Sequence, residues 1–226
     1  MKRTLTILAL AIAVALPAAS QAMPMRPAPY FSGFLGVAVP KDTDVTLNNT
    51  GSGVTFDQRI GLDPGIYFGG AGGFDFGFIR LEGEFSYKQS NIKSITDKSG
   101  ADQFRDVDGK LSLMAFLFNA FFDFHNYSPV TPYMGGGIGF ATLHMGNTFA
   151  TNNANQTFLM YPQDDDTVFA YQVGTGLDIA LTRRYSLDVG YRYFNTDTAS
   201  FSGHQLTAGG IRFESHNALV GFKMKF

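Results

Sequence analysis

The chain has no cysteine and no tryptophan, and only 16% of its 226 residues are charged. Without cysteine there are no disulfide staples, thiolate metal sites or thiol nucleophiles, and no lipid-modified N-terminal cysteine. Basic and acidic residues number 17 and 19, so the positive excess of a nucleic-acid binder is missing. No apolar run beyond the N-terminal leader approaches the ~18 residues of a membrane-spanning helix. That absence leaves β-strand spans open, because strands hide their apolar signal in alternation.

What is plentiful is phenylalanine, at 23, and glycine, at 26. The first residues read as an export leader. Lys2 and Arg3 precede an apolar run from Leu5 to Leu16, broken at Pro17, and Ser20-Gln21-Ala22 sets small residues where a signal peptidase reads. Such a run matches a signal core rather than a span of ~20 residues. Cleavage is expected after Ala22.

From Tyr30 onward the dominant period is two, the period of a strand, whose successive side chains point to opposite faces. In Phe78 to Lys88, Ile79, Leu81, Gly83, Phe85 and Tyr87 share one face, with Arg80, Glu82, Glu84, Ser86 and Lys88 on the other. In Tyr185 to Phe194, Tyr185, Leu187, Val189, Tyr191 and Tyr193 alternate with Ser186, Asp188, Gly190, Arg192 and Phe194. Tyr171, Val173, Leu177 and Ile179 alternate with Gln172, Gly174, Gly176 and Asp178; Met134, Ile138 and Phe140 alternate with Gly135, Gly137 and Gly139. Tyr30 to Val39, Ile66 to Phe76 and Phe213 to Phe226 repeat the pattern. Leu111 to Phe124 is apolar on both faces; placing Asn119 and Asp123 inward turns Met114, Phe116, Phe118, Phe122 and Phe124 outward. One face thus suits lipid, while a narrow interior needs the glycines.

These eight segments are joined alternately by short turns, at Gly77, His125 to Val130 and Ala180 to Arg184, and by long polar stretches at about 40–62, 88–109, 142–166 and 195–212. The prediction is an all-β fold, an eight-stranded antiparallel up-and-down transmembrane β-barrel, closed because an open edge in hydrocarbon leaves backbone groups unsatisfied. The expected division is a signal peptide at 1–22, a short periplasmic N-terminal segment at 23–29 and an outer-membrane barrel at 30–226. The long stretches, with runs such as Leu47-Asn48-Asn49-Thr50-Gly51-Ser52 and Thr151-Asn152-Asn153-Ala154-Asn155, are expected to be mobile extracellular loops. Tyr87, Tyr133 and Tyr193 are expected in interfacial girdles.

Counting back from Phe226, Met224, Phe222, Val220 and Ala218 form an apolar face that ends in an aromatic residue. Together with Pro132-Tyr133-Met134-Gly135-Gly136-Gly137-Ile138-Gly139-Phe140, Leu81-Glu82-Gly83-Glu84-Phe85-Ser86-Tyr87 and Val189-Gly190-Tyr191-Arg192-Tyr193, this ending resembles the OmpA-like eight-stranded outer-membrane barrels, and within them the bacterial surface-antigen group. The resemblance implies a surface-exposed protein of a Gram-negative bacterium, often an adhesin, immune target or envelope-stabilising component. It implies recognition of Ala218, Val220, Phe222, Met224 and Phe226 by the barrel-assembly machinery. No peptidoglycan-binding domain is expected. Outer-membrane lipid, lipopolysaccharide and a host or cell-surface ligand at the loops are the expected partners of a monomer.

The inward face carries Asp75, Arg80, Glu82, Glu84, Asp123, Asp178, Asp188, Arg192, Lys223 and Lys225. Buried charges persist when paired, so a luminal network is expected, with Glu82 or Glu84 reaching Arg192 across the lumen. Its role is either a plug or the gate of a narrow ion path. Glu214-Ser215-His216 suggests a lipid A-modifying enzyme, but alternation puts Ser215 on the opposite face from His216, and a nucleophile must meet its base. No catalytic, cofactor or metal site is predicted. Gln163-Asp164-Asp165-Asp166 lacks the spacing of a calcium loop, and Gly69-Gly70-Ala71-Gly72-Gly73 lacks the lysine and helix of a phosphate loop.

Overall fold

A computed structural model describes residues 27–49, 55–97, 103–151, 157–161, 163–202 and 206–226. The leader, residues 1–22, and His204 lie outside them. Among the described residues fifteen strands follow in chain order: β1 (Ala28–Pro40), β2 (Thr43–Asn49), β3 (Thr55–Leu62), β4 (Gly65–Asp75), β5 (Ile79–Asp97), β6 (Gln103–Asp108), β7 (Lys110–Asp123) and β8 (Val130–Met145). Then come β9 (Thr148–Thr151), β10 (Thr157–Tyr161), β11 (Asp164–Ala180), β12 (Tyr185–Thr196), β13 (Ala199–Ser202), β14 (Leu206–Ile211) and β15 (Glu214–Lys225).

Eight of these make a closed wall. Going round, β1 pairs with β4, β4 with β5, β5 with β7 and β7 with β8. The ring continues from β8 to β11, β12, β15 and back to β1, every pair antiparallel. Closure leaves no wall strand with a free edge, the condition for crossing hydrocarbon. The seam is tied at Leu35, which lies opposite Phe68 on one side and Val220 on the other.

Alternation sets the two faces. Outward side chains include Phe31, Leu35, Phe68, Phe116, Phe118, Ile138, Phe140, Val173 and Phe222, with Leu35 71% exposed. A water-soluble protein buries such residues; here the largest apolar surface is on the outside, as a lipid-facing wall requires. Inward side chains include Arg80, Glu82, Glu84, Ser86, Lys88, Asn119, Gln172 and Arg192, all buried. Glycine makes the narrow ring possible at Gly139, where an added Cβ would fall 1.9 Å from the carbonyl oxygen of Phe116 on β7.

The three short turns lie at one end of the wall, the first with Gly77 at φ 103°, a left-handed conformation that favours glycine. At the other end the structure departs from the expectation of mobile loops. The described parts of those stretches continue as strands: β13, β14, β2 and β3 form a ladder that joins β5, while β6 pairs with both β5 and β9, and β9 with β10. Their cohesion is apolar. Val45, Ile60, Leu62, Ile92, Ile95, Leu111, Leu113, Leu143, Met145, Phe194, Ile211 and Phe213 belong to one buried cluster that runs from the extension into the upper wall. Widely spaced apolar residues among polar neighbours thus supply a core that the composition of the stretches conceals. Residues 50–52 and 152–155 of the polar runs lie outside the described residues.

Candidate functional site

Below the apolar cluster, towards the short turns, the lumen is filled by polar and charged side chains. Arg80 on β5 donates through Nε to Asp123 on β7 at 3.0 Å, and its Nη1 lies 3.8 Å from Asp178 on β11. Lys223 on β15 donates to Asp178. Lys225 donates to Asp75 at 2.6 Å, and Asp75 also accepts the backbone N–H of Gly77 at 2.7 Å. Five strands are therefore cross-linked at the short-turn mouth, and the β4–β5 turn is fixed by the Asp75 carboxylate. Buried charges in a low-dielectric interior hold only when paired in this way.

One level higher, the pairing differs from the sequence expectation. Glu84 accepts from Gln172 at 2.8 Å and from Asn119 at 2.9 Å, and Glu82 accepts from Tyr30 and, at 3.3 Å, from Asn119. Arg192 makes no ion pair within 4.0 Å with Glu82 or Glu84. Instead its Nη1 donates to Tyr133 Oη at 3.2 Å, and Tyr133 donates to Asp188 at 2.7 Å. The physical reason is the amide layer. Asn119 and Gln172 satisfy the carboxylates directly, so the guanidinium pairs with the phenol. Tyr133, 1% exposed, lies in the lumen and not in an outer girdle; it shares parity with Gly135, Gly137 and Gly139. Arg80 and Arg192 also flank an edge-on aromatic pair, Phe121 and Tyr133, with Arg80 4.7 Å from the Tyr133 centroid and Arg192 4.6 Å from that of Phe121.

Lys88 caps this polar layer. It is 1% exposed, and its Nζ lies 3.7 Å from the Phe194 ring centroid and 4.6 Å from that of Tyr67, in the aromatic-face geometry that attracts a cation. Above it the interior is apolar. Between Arg80, Glu82, Glu84, Asp188, Arg192 and Lys223 there is a cavity of about 10 Å³, room for roughly one water molecule. Tyr30, Tyr67, Tyr133 and Gln172 complete the layer, yet the charge pattern alone does not single them out. Strand parity does, since each alternates with an outward apolar residue.

The remaining candidates are placed as follows. Ser215 is buried and donates to Asn217 at 3.1 Å, while His216 lies on the outer face with its Nδ1 2.6 Å from Tyr191 Oη. The two side chains sit on opposite sides of the wall. Asp164, Asp165 and Asp166 begin β11, where Asp165 contacts His144 and Asp166 accepts the backbone N–H of Ser200 at 2.8 Å. Among the described residues no group of three or more His, Asp or Glu is arranged to hold a metal. Ala218, Val220 and Phe222 line the outer face of β15, and Phe226 packs edge-on against Phe31 at 6.0 Å.

At the rim between wall and extension, Lys41 donates to Glu214. This hydrogen bond holds the ammonium above its ordinary value of 10.5.

The chain resembles known outer-membrane proteins. It is 26% identical over 148 residues to the outer membrane protein PagN of Salmonella typhimurium, covering 61% of each chain. It is 30% identical over 100 residues to an uncharacterized protein of Brucella abortus, covering 43% of this chain and 35% of that one. The chain thus spans less than two thirds of the length of these curated relatives. Among solved structures, the outer membrane protein OprG of Pseudomonas aeruginosa superposes with a TM-score of 0.58 at 15% identity, over 88% of this chain and 96% of that one. The likeness to OprG concerns the fold. A family model described as outer membrane protein beta-barrel domain matches residues 6–226. With a sealed ring of eight antiparallel strands and a lipid-facing exterior, the chain belongs to the outer membrane protein beta-barrel domain family.

Proposed function

We propose that this outer-membrane protein is a surface-interaction protein of adhesin or antigen type, whose barrel holds a folded extracellular platform at a fixed height above the membrane. Short turns of such barrels face the periplasm and long connections face outward, so β2, β3, β6, β9, β10, β13 and β14 lie on the cell surface in this reading. The observation that carries it is the apolar cluster within the extension. A chain that only had to span the membrane would not need its core to continue beyond the wall, as it does through Val45, Ile60, Ile92 and Ile95. The ordered surface limits the entropy lost when a partner docks.

The charged lower lumen acts as a plug in this reading: its ion pairs cross-link β4, β5, β7, β11 and β15. A narrow gated ion path is the second reading, resting on the same charges, and the water-sized cavity and the apolar layer above weigh against it. The chain acts as a monomer, and Ala218, Val220, Phe222, Met224 and Phe226 serve as its assembly signal.

The test replaces residues 148–161, the β9–β10 hairpin, by a short turn and measures adhesion of expressing cells to host cells and to one another. Adhesion should fall while the barrel keeps its heat-modifiable gel mobility. Unchanged adhesion would remove that hairpin from the role. Single-channel recording of the wild type and of Arg192→Ala distinguishes plug from gate: the plug predicts no resolved openings in the wild type.

A further inference from the structure

Four outward side chains stand in line across adjacent wall strands. The register opposes Gln89 on β5 to Ser112 on β7, Ser112 to His144 on β8, and His144 to Asp165 on β11. Side chains directly opposed in an antiparallel pair have Cβ atoms about 4.5–5.5 Å apart, so each can reach the next. His144 turns its Nδ1 to the Asp165 carboxylate. A carboxylate only accepts, so Nδ1 carries the hydrogen and Nε2 of the neutral ring is left as a base. Tyr87 directs its hydroxyl at Gln89 Oε1, 3.0 Å away, and at Ser112 Oγ, 3.1 Å away. Both contacts fall on acceptor atoms, so Ser112 keeps its own hydrogen and Gln89 keeps both amide hydrogens. The row is open to the outside: the His144 and Asp165 side chains are 37% and 59% exposed.

Four residues lower, roughly 14 Å at ~3.4 Å per residue, the same strands carry a row of rings. Phe85 lies opposite Phe116, Phe116 opposite Phe140 and Phe140 opposite Phe169. With Phe31 and Gly83 these rings line an apolar groove of about 810 Å³ on the lipid-facing wall, within the roughly 300–1,000 Å³ of small-molecule sites. At Gly83 an added Cβ would meet nothing within 4 Å, so the floor of the groove is open space. A hydroxyl, an imidazole and a carboxylate in line therefore sit above a slot shaped for hydrocarbon.

We propose that this row is an esterase site that cleaves a long-chain fatty-acyl ester at the membrane surface, with the acyl chain held in the groove. Ser112 Oγ attacks the ester carbonyl carbon while His144 Nε2 takes the hydroxyl proton, and Asp165 holds the imidazole in the required tautomer. The Gln89 amide is placed to donate to the carbonyl oxygen as it gains negative charge. The carbon–oxygen ester bond then breaks, and the alcohol leaves with the proton from His144. Water attacks the acyl-Ser112 ester; its proton passes through His144 to Ser112 Oγ, and the fatty acid is released. The balance is ester plus water giving acid plus alcohol, with no further reactant. The height fits the substrate, because the row lies where the apolar band ends, the level of a lipid's ester linkage. This site is distinct from Ser215 and His216, whose side chains lie on opposite sides of the wall. The proposal requires the membrane location and is independent of any adhesive role.

The full chain is refolded in mild detergent, its folding is checked by heat-modifiable gel mobility, and hydrolysis of p-nitrophenyl palmitate and p-nitrophenyl acetate is followed. Ser112→Ala and His144→Ala should each lower kcat/KM by about 10³-fold or more. Asp165→Asn, which touches only the base, should lower kcat with little change in KM. Gly83→Leu, which fills the groove, should shift the preference from palmitate towards acetate. His216→Ala, elsewhere on the rim, should match the wild type. A fluorophosphonate probe should label the wild type on the peptide that contains Ser112 and should not label Ser112→Ala. Phosphatidylethanolamine vesicles and lipopolysaccharide are then offered separately, and released fatty acid is measured by mass spectrometry; release from either supports the proposal and identifies the alcohol as glycerol or sugar. Absence of hydrolysis by the folded wild type, wild-type rates in folded Ser112→Ala, or an equal loss in His216→Ala overturns it.

Discussion

Tyr133 on β8 donates its phenolic hydrogen to Asp188 on β12 at 2.7 Å, across the intervening strand β11, and accepts from Arg192 at 3.2 Å. One hydroxyl thus joins an anion to a cation that are not themselves bonded. Tyr133→Phe keeps the ring against Phe121 and removes only this junction. Leaving a buried polar partner unsatisfied costs about 1–3 kcal/mol. The variant should fold and unfold at lower urea concentration in lipid vesicles by that amount. Unfolding unchanged from the wild type would mean that water replaces the hydroxyl without loss.

Arg80 is the cation shared between Asp123 and Asp178, and it is 3% exposed. Its removal by Arg80→Ala leaves two carboxylates with less compensation. Breaking a buried pair from one side costs about 3–5 kcal/mol, whereas replacing both partners by apolar residues is often neutral. Arg80→Ala should therefore lower the temperature of the heat-modifiable gel transition, and Arg80→Met with Asp123→Leu should recover most of the loss. If the double variant is no better than the single, the mouth depends on charge itself and not on the avoidance of an unpaired one.

Gly139 and Gly83 separate two uses of glycine in the wall. An added Cβ at Gly139 meets the Phe116 carbonyl oxygen at 1.9 Å, while at Gly83 nothing lies within 4 Å. Gly139→Ala should block the close approach of β7 and β8 and reduce the folded fraction in refolding assays. Gly83→Ala, which adds a methyl group to the lipid face, should refold like the wild type. Equal yields for the two would contradict the register of β7 against β8.

Much of the wall was legible because alternation is forced wherever one face meets lipid. Even β7, apolar on both faces, was readable, since Asn119 and Asp123 tolerate only the inside and fix its register. The extension was not legible. Ile60 and Leu62 sit beside a register shift at Gly61, and Ile92 and Ile95 are three apart, so period two fails locally although all four reach one core. The partner of Arg192 was also hidden. Charge pattern favours carboxylates, but Asn119 and Gln172 occupy them, and that competition depends on distances across the ring. Tyr133 was misassigned as an interfacial residue from its place at a strand end, although parity with Gly135 puts it inside.

The Lys41 ammonium is held above 10.5 by its hydrogen bond to Glu214. A raised folded-state value means that the pair's contribution is fully present below the unfolded value and is lost as pH rises through the folded one. After reductive ¹³C-methylation, the Lys41 resonance should titrate above those of exposed lysines, and Glu214→Gln should return it to the ordinary range. Titration together with the other lysines in the wild type would mean that the pair is not formed in solution.

The extension should unfold without the barrel. Ile95 is buried in the apolar cluster, on the part of β5 that pairs with β3 and β6 beyond the lipid-facing band. Ile95→Asp places a charge in a cluster whose described members are all apolar, an expensive arrangement that local opening relieves. The wall below keeps its own ladder and its own polar layer. Brief proteolysis of intact cells should therefore cut the variant within residues 40–62 or 88–109 and leave the wild type whole. The protected membrane fragments should remain heat-modifiable on gels. Protection of the variant equal to the wild type would show that the strands of the extension do not depend on this core. Loss of the barrel together with the extension would show that the two storeys fold as one unit.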